Sequence, residues 1–198
     1  MSSWLNARRG WPVQIRKRLN EKNCRVIFLP SSPILTLSPA SLPFFKVFHI
    51  VLVEPEIPSN TGNIARLCAA TNSVLHLIHP LGFRLNDVSM QRAGMDYLDI
   101  ATIQEHPSLQ ECLREGRSVH YLTTKASRPY WDAKFLPDDH LVFGRETKGL
   151  PEELLRNHPE RCLTIPMMNP GARSLNLATT VGIVLYEAIR QNHRNTSG

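Results

Sequence analysis

From Phe48 onward the chain alternates short, almost unbroken apolar runs with amphipathic stretches, and this alternation narrows its fold most. FHIVLV (48–53), SVLHLI (73–78), SVHYLTT (118–124), HLVFG (140–144) and RCLTIP (161–166) read as buried strands, and Tyr97–Ile103 as another. Between them lie helical patterns. Residues 58–72 place Ile64, Leu67, Cys68 and Thr71 at helical spacing, and shorter helices fit Asp87–Gly94 and Ser108–Arg114. Another helix opens at Pro151-Glu152-Glu153, and a last one runs from about Leu175 to Gln191, with Leu177, Val181, Val184, Leu185, Ala188 and Ile189 on its apolar side. Strands that are apolar on both faces and separated by helices predict a single-domain α/β fold, a mostly parallel sheet covered by helices.

With 198 residues, 42% of them hydrophobic, there is material for one such domain and little more. No apolar run approaches the roughly 20 residues that span a bilayer, so no membrane partner is expected. The net charge of +6 suggests an anionic partner, but it is unevenly placed. Residues 1–46 carry eight Lys or Arg against Glu21 alone, which is +7 and leaves −1 for the remainder. Within that segment, PSSPILTLSPASLP (30–43) has the composition of an extended linker. The chain therefore divides into a basic, then Pro/Ser-rich extension (1–46) and a domain (47–198). Three readings of the extension stay open: a transit peptide, an arm that grips RNA phosphates, or a translation start that really lies near Val47.

Cys24, Cys68, Cys112 and Cys162 form no C-x-x-C pair, and the eight histidines are scattered along the chain. His76 and His79, three apart in a strand pattern, point to opposite faces. No metal is expected on this spacing, and the cysteine usage suits a reducing, cytoplasmic compartment.

In parallel α/β sheets, ligands bind beyond the carboxyl ends of the strands, here the loops after Val53, Thr123, Gly144 and Ile165. The first, EPEIPSNTGNIAR, has Asn60, Gly62 and Asn63 preceding a helix that carries Arg66. Free amides at a helix start with a nearby Arg suit a phosphate or ribose; an Asn cap and a solvated Arg are the plain alternative. In GRETKGLP, Gly144 allows close backbone approach and Glu146 adds a carboxylate, although a simple strand-to-helix turn would look alike. Neither a Walker loop nor a G-x-G-x-x-G fingerprint is present. In MMNPGARSLNLATT, Arg173, Ser174 and Asn176 crowd the start of the last helix, where Ser174 could act only as its cap.

Taken together, N-x-x-x-x-x-R (Asn60, Arg66), F-G-x-E-T-K-G (Phe143 to Gly149) and I-P-M…R-S-L-N-L (Ile165 to Leu177) resemble the three motifs of the SPOUT RNA 2′-O-ribose methyltransferases. VLVEPEIPSNTGNIARLCAATN, QRAGMDY (91–97) and YLTTK (121–125) resemble its small, single-domain branch acting on the tRNA wobble nucleotide 34, cytidine or modified uridine of leucine tRNAs. The resemblance spans about residues 48–191. It implies a C-terminal deep trefoil knot, a homodimer whose sites are completed across the interface, and a tRNA anticodon stem-loop as substrate. It also implies S-adenosylmethionine held by Leu122, Thr123, Gly144, Glu146, Ile165, Ser174 and Leu175. Backbone amides at Gly144, Ile165 and Leu175 could read an adenine edge and ribose, with Leu122 and Ile165 sandwiching the ring.

By the same resemblance Arg66 lies at the catalytic centre with Asn60, Glu146, Ser174 and Asn176. A guanidinium keeps its proton in protein sites, so Arg66 is expected to orient a phosphate and stabilise the developing alkoxide rather than act as base. Arg66, Arg145 and Arg173 would supply the local positive charge that the body lacks as a whole. The last helix (Val184, Tyr186, Ile189) and the first are the implied dimer face, with ordinary core packing as the alternative for Val184. Ala172, Ala178, Arg145 and Asn72, a position where relatives commonly have glycine, depart from the family pattern. Two other functions remain open: the same methylation at another tRNA or rRNA position, and a non-catalytic SPOUT protein that binds RNA.

Overall fold

The computed structural model describes residues 47–85, 88–113 and 116–193; the basic extension lies outside them. Six strands, β1 (His49–Val53), β2 (Val74–Ile78), β3 (Thr102–His106), β4 (Val119–Leu122), β5 (His140–Phe143) and β6 (Cys162–Leu163), form one sheet in the order β3-β2-β1-β5-β4-β6. Every pairing is parallel. The α/β expectation is met. The central strands β1 and β5 are buried along their whole length, as their apolar runs require.

Helices cover both faces. On one face α1 (Pro58–Thr71) and α5 (Leu177–His193) pack Ile64, Ala65, Cys68, Val181, Val184, Leu185 and Ala188 against Ile50, Leu52, Leu75, Leu141 and Phe143. Val181, Val184 and Leu185 are fully buried, each aliphatic contributing roughly 1.5–3 kcal/mol. Val184 is thus core, whereas Tyr186 stands 55% exposed. On the other face, α3 (Leu109–Cys112) and α4 (Glu152–Asn157) place Leu109, Cys112, Leu154 and Leu155 over Val51, Val53, Tyr121 and Val142. The remaining helix, α2 (Val88–Gly94), packs on α1.

Two expectations shift. Residues 97–99 of the expected third strand belong to a 3-10 turn (Met95–Asp99), and β3 begins only at Thr102. Leu98 in that turn and Ala101 just after it pack on the core, while the edge strand TIQEH, half in solvent, shows no apolar run. The first helix starts at Pro58, so Asn60, Gly62 and Asn63 lie inside it rather than before it. It closes on Asn72 in the left-handed region (φ 55°, ψ 33°), a conformation that glycine or Asn accepts best. That accounts for this position in the motif.

Order in the chain builds the site. β5 is laid between β1 and β4, and β6 then returns to pair outside β4. The loops after β1, β4, β5 and β6 therefore open at the same carboxyl end of neighbouring strands.

Candidate active site

At that end lies a cleft of about 570 Å³. Leu122 and Thr123 leave β4 on one wall, Gly144 and Glu146 leave β5, and Ile165 follows β6. Ser174, Leu175 and Asn176 close it from the approach to α5. All seven residues expected to hold the cofactor line this one cleft. Three loops far apart in sequence have converged.

The Glu146 carboxylate joins them. It accepts hydrogen bonds from the backbone N–H of Glu56 (2.9 Å) and of Ile57 (3.3 Å), and from Asn60 Nδ2 (3.1 Å). No side chain of α1 itself caps the helix, whose N-cap is Ile57, so a carboxylate from another loop meets its positive end. Glu146 thus takes up the two amides that lead into the helix, those of Glu56 and Ile57, while the amides of Asn60 and Thr61 turn to the Ile57 carbonyl. Asn60, only 6% exposed, continues the chain: its Oδ1 accepts from Asn176 Nδ2 at 2.8 Å. Asn176 Oδ1 in turn accepts from the amides of Ala178 (2.9 Å) and Thr179 (3.3 Å). The cap of α5 is therefore Asn176 and not Ser174, and α5 starts two residues later than expected.

A second carboxylate returns the contact in the opposite direction. Glu56 accepts from Thr147 N (3.1 Å) and from Thr147 Oγ1 (2.7 Å), pinning the β5 loop to the β1 loop. Neither Glu56 nor Thr147 was singled out from the sequence. Only the E-T order of the motif hinted at them, since their partners are about 90 residues away. Gly144 also has a role beside the expected one. A Cβ on it would fall 2.1 Å from the carbonyl carbon of Gly149, so its missing side chain lets the loop fold back on itself. Gly149 turns that loop at φ +69°, its N–H donating to the Arg145 carbonyl at 2.9 Å.

Arg145 pairs with Glu54, so that charge is neutralised locally rather than offered to RNA. Arg173 and Lys148 are exposed on the cleft lining. Lys125 lines it too, ion-paired with Glu152 at 2.5 Å. Of the five residues expected at the catalytic centre, Asn60, Glu146, Ser174 and Asn176 line the cleft and Arg66 does not. Arg66 lies further along α1 on its exposed side, with its guanidinium 5.0 Å from the centre of the Tyr97 ring.

A family profile described as the SpoU rRNA methylase family matches residues 47–186. The tRNA (cytidine(34)-2′-O)-methyltransferase of Acidovorax sp. (strain JS42) is 48% identical over 151 residues, covering 74% of this chain and 93% of the relative. That of Methylovorus glucosotrophus (strain SIP3-4) is 48% identical over 149 residues, 74% of this chain and 96% of the relative. A solved structure concerning 2-OH methylation of C/U34 on tRNA superposes with a TM-score of 0.71. It is 44% identical, and the match covers 75% of this chain and 97% of the other. An AdoMet-bound rRNA methyltransferase from Sinorhizobium meliloti gives a TM-score of 0.65 at 27% identity, covering 72% and 56%.

Proposed function

Because the chain belongs to the SpoU rRNA methylase family, we propose that it transfers a methyl group from S-adenosylmethionine to the ribose 2′-hydroxyl of nucleotide 34 of tRNA. The observation that carries this reading is the convergence of the three motif loops on one cleft through Glu146, Asn60 and Asn176. The relatives at 48% identity bear the name of that activity over nearly their whole length.

The donor set fits a nucleoside cofactor. The cleft pairs apolar walls at Leu122, Phe143 and Ile165 with polar groups at Thr123, Ser174 and Asn176, within the usual volume of a small-molecule site. When bound, S-adenosylmethionine supplies an electrophilic methyl on sulfonium; the 2′-oxygen forms the new C–O bond as the C–S bond breaks and the thioether leaves. Leu122 and Ile165 would flank the purine, and the amides of Gly144, Ile165 and Leu175 would read its edge and ribose. Glu146 orients rather than reacts, since both its oxygens are committed to Glu56, Ile57 and Asn60. Ser174, exposed at the lip, can touch the ribose.

Arg66 completes the reaction centre from a second copy. Its place on the exposed side of α1, outside its own chain's cleft, is what a homodimer with sites shared across the interface requires. There it orients the target phosphate and stabilises the developing alkoxide, while a phosphate oxygen or water takes the hydroxyl proton. The exposed Tyr186 on α5 belongs to the same contact face. The trefoil knot and a cytoplasmic location go with this reading. No helix among the described residues is long and apolar enough to cross a membrane. Cys68, Cys112 and Cys162 are buried thiols, and burial pushes the Cys68 pKa up to about 12.

The test is transfer of labelled methyl from S-adenosylmethionine to bulk tRNA, with nuclease mapping of the modified ribose. Label at nucleotide 34 supports the proposal. Label at another tRNA position or in rRNA moves the substrate, and cofactor binding without transfer to any RNA returns the non-catalytic reading.

A further inference from the structure

On the face of the sheet covered by α3, four histidines that are scattered in sequence form a diagonal row. His140 opens β5 and His49 opens β1; His76 sits mid-strand in β2 and His106 ends β3. The parallel register brings their rings together. His49 and His140 stack at 4.8 Å between centroids. His49 Nδ1 lies 2.8 Å from His76 Nε2, and His76 Nδ1 lies 2.9 Å from His106 Nε2. Cys112, at the end of α3, comes down on the outer end of this row. Donor atoms of His76, His106 and Cys112 all lie within 4.8 Å of one another.

We propose that His76, His106 and Cys112 bind one zinc ion, at a site that shares no residue with the methyl-transfer cleft. Two imidazoles and a thiolate are the donors that a borderline-soft, tetrahedral divalent cation selects over magnesium or calcium. Zn–N and Zn–S bonds of about 2.0–2.3 Å separate tetrahedral donors by roughly 3.3–3.6 Å. Reaching that spacing needs the two nitrogens to part by a few tenths of an ångström and the widest donor separation to close by about 1 Å. The row supplies the outer shell as well. With Nδ1 of His76 on the metal, its Nε2–H donates to His49 Nδ1 and fixes the ring.

Entry and exit are provided for. His76 and Cys112 are only 1% and 2% exposed, but His106 is half-buried. It lines a surface cleft of about 540 Å³ with His79, Pro80, Glu105 and Pro107, where His79 and Glu105 are hydrogen-bonded at 2.8 Å. Three protein ligands leave the fourth position, towards this cleft, for water. Such an ion ties α3 to β2 and β3, the edge of the sheet that apolar burial secures least. The proposal departs from the expectation of no metal drawn from spacing in the sequence, which the strand register does not respect.

The experiment is titration of the chelator-treated full-length protein with cobalt(II), followed by displacement with zinc. One equivalent of cobalt should give a near-ultraviolet thiolate charge-transfer band and strong visible bands of tetrahedral coordination, both erased by zinc. Cys112→Ser should abolish the charge-transfer band, and His106→Gln should weaken zinc binding at least tenfold. Cys24→Ser should change neither. Absence of the bands in the wild-type chain overturns the site. So does a charge-transfer band that survives in folded Cys112→Ser protein or disappears in Cys24→Ser. Should Cys112→Ser not fold, unchanged zinc affinity in His106→Gln overturns it alone.

Discussion

Glu146 receives three hydrogen bonds from the β1 loop and α1 on a single carboxylate, and hydrogen bonds to a charged acceptor are worth about 1.5–3 kcal/mol each. Glu146→Gln retains one acceptor oxygen and turns an NH2 towards a backbone N–H. Urea denaturation should show a loss of about 2–3 kcal/mol, with methyl transfer falling at least tenfold. Gly144→Ala probes a different property of the same loop. The new methyl collides with the Gly149 backbone, so the loop must open. Calorimetry should record at least a tenfold loss of S-adenosylmethionine affinity, while the far-ultraviolet circular dichroism stays unchanged. Both residues were legible in the sequence as site residues, but not in their roles. A motif marks Glu146 and Gly144; only the fold shows that one ties down the β1 loop and the start of α1 some 90 residues upstream and the other makes room for backbone.

At the scale of the element, strands buried on both faces were easiest to recognise, because continuous apolar runs have few other uses. β3 starts later than the pattern predicts because an edge strand buries only half its side chains and leaves no such run. The start of α5 falls two residues later than the pattern predicts because Asn176, and not Ser174, takes the first free amides. Asn72 allows a direct check of local backbone chemistry. At φ 55° on an exposed site, Asn72→Gly should leave stability unchanged or raise it by up to about 1 kcal/mol in urea denaturation. A β-branched Asn72→Val should cost about 1–3 kcal/mol. Equal effects of the two would show that the left-handed cap is not what the position requires.

For the whole molecule, net charge proved a poor guide. The positive excess lies in residues 1–46, which carry +7 against −1 for the rest, and within the domain Arg145 and Lys125 are already paired with Glu54 and Glu152. Arg173 and Lys148 are exposed on the cleft lining and Arg66 on the outer side of α1, so the proposed second copy is what would bring the three together. A site shared between copies, as proposed for Arg66, is beyond the reach of hydrophobic periodicity, because Tyr186 and the exposed side of α1 read as ordinary solvated helix. Mixed dimers give the test. Arg66→Ala and Gly144→Ala should each be inactive alone. Dissociated and reassociated together, they should recover about a quarter of wild-type methyl transfer, since half of the dimers are mixed and each holds one intact site. No recovery would place Arg66 in its own chain's cleft.

The central claim is that the cleft delivers a methyl to one particular hydroxyl. It is tested most directly with two synthetic leucine tRNAs that differ only in carrying ribose or 2′-deoxyribose at nucleotide 34. With labelled S-adenosylmethionine, the ribose form should accept one methyl per tRNA and the deoxy form none. Equal labelling of the two would contradict the account.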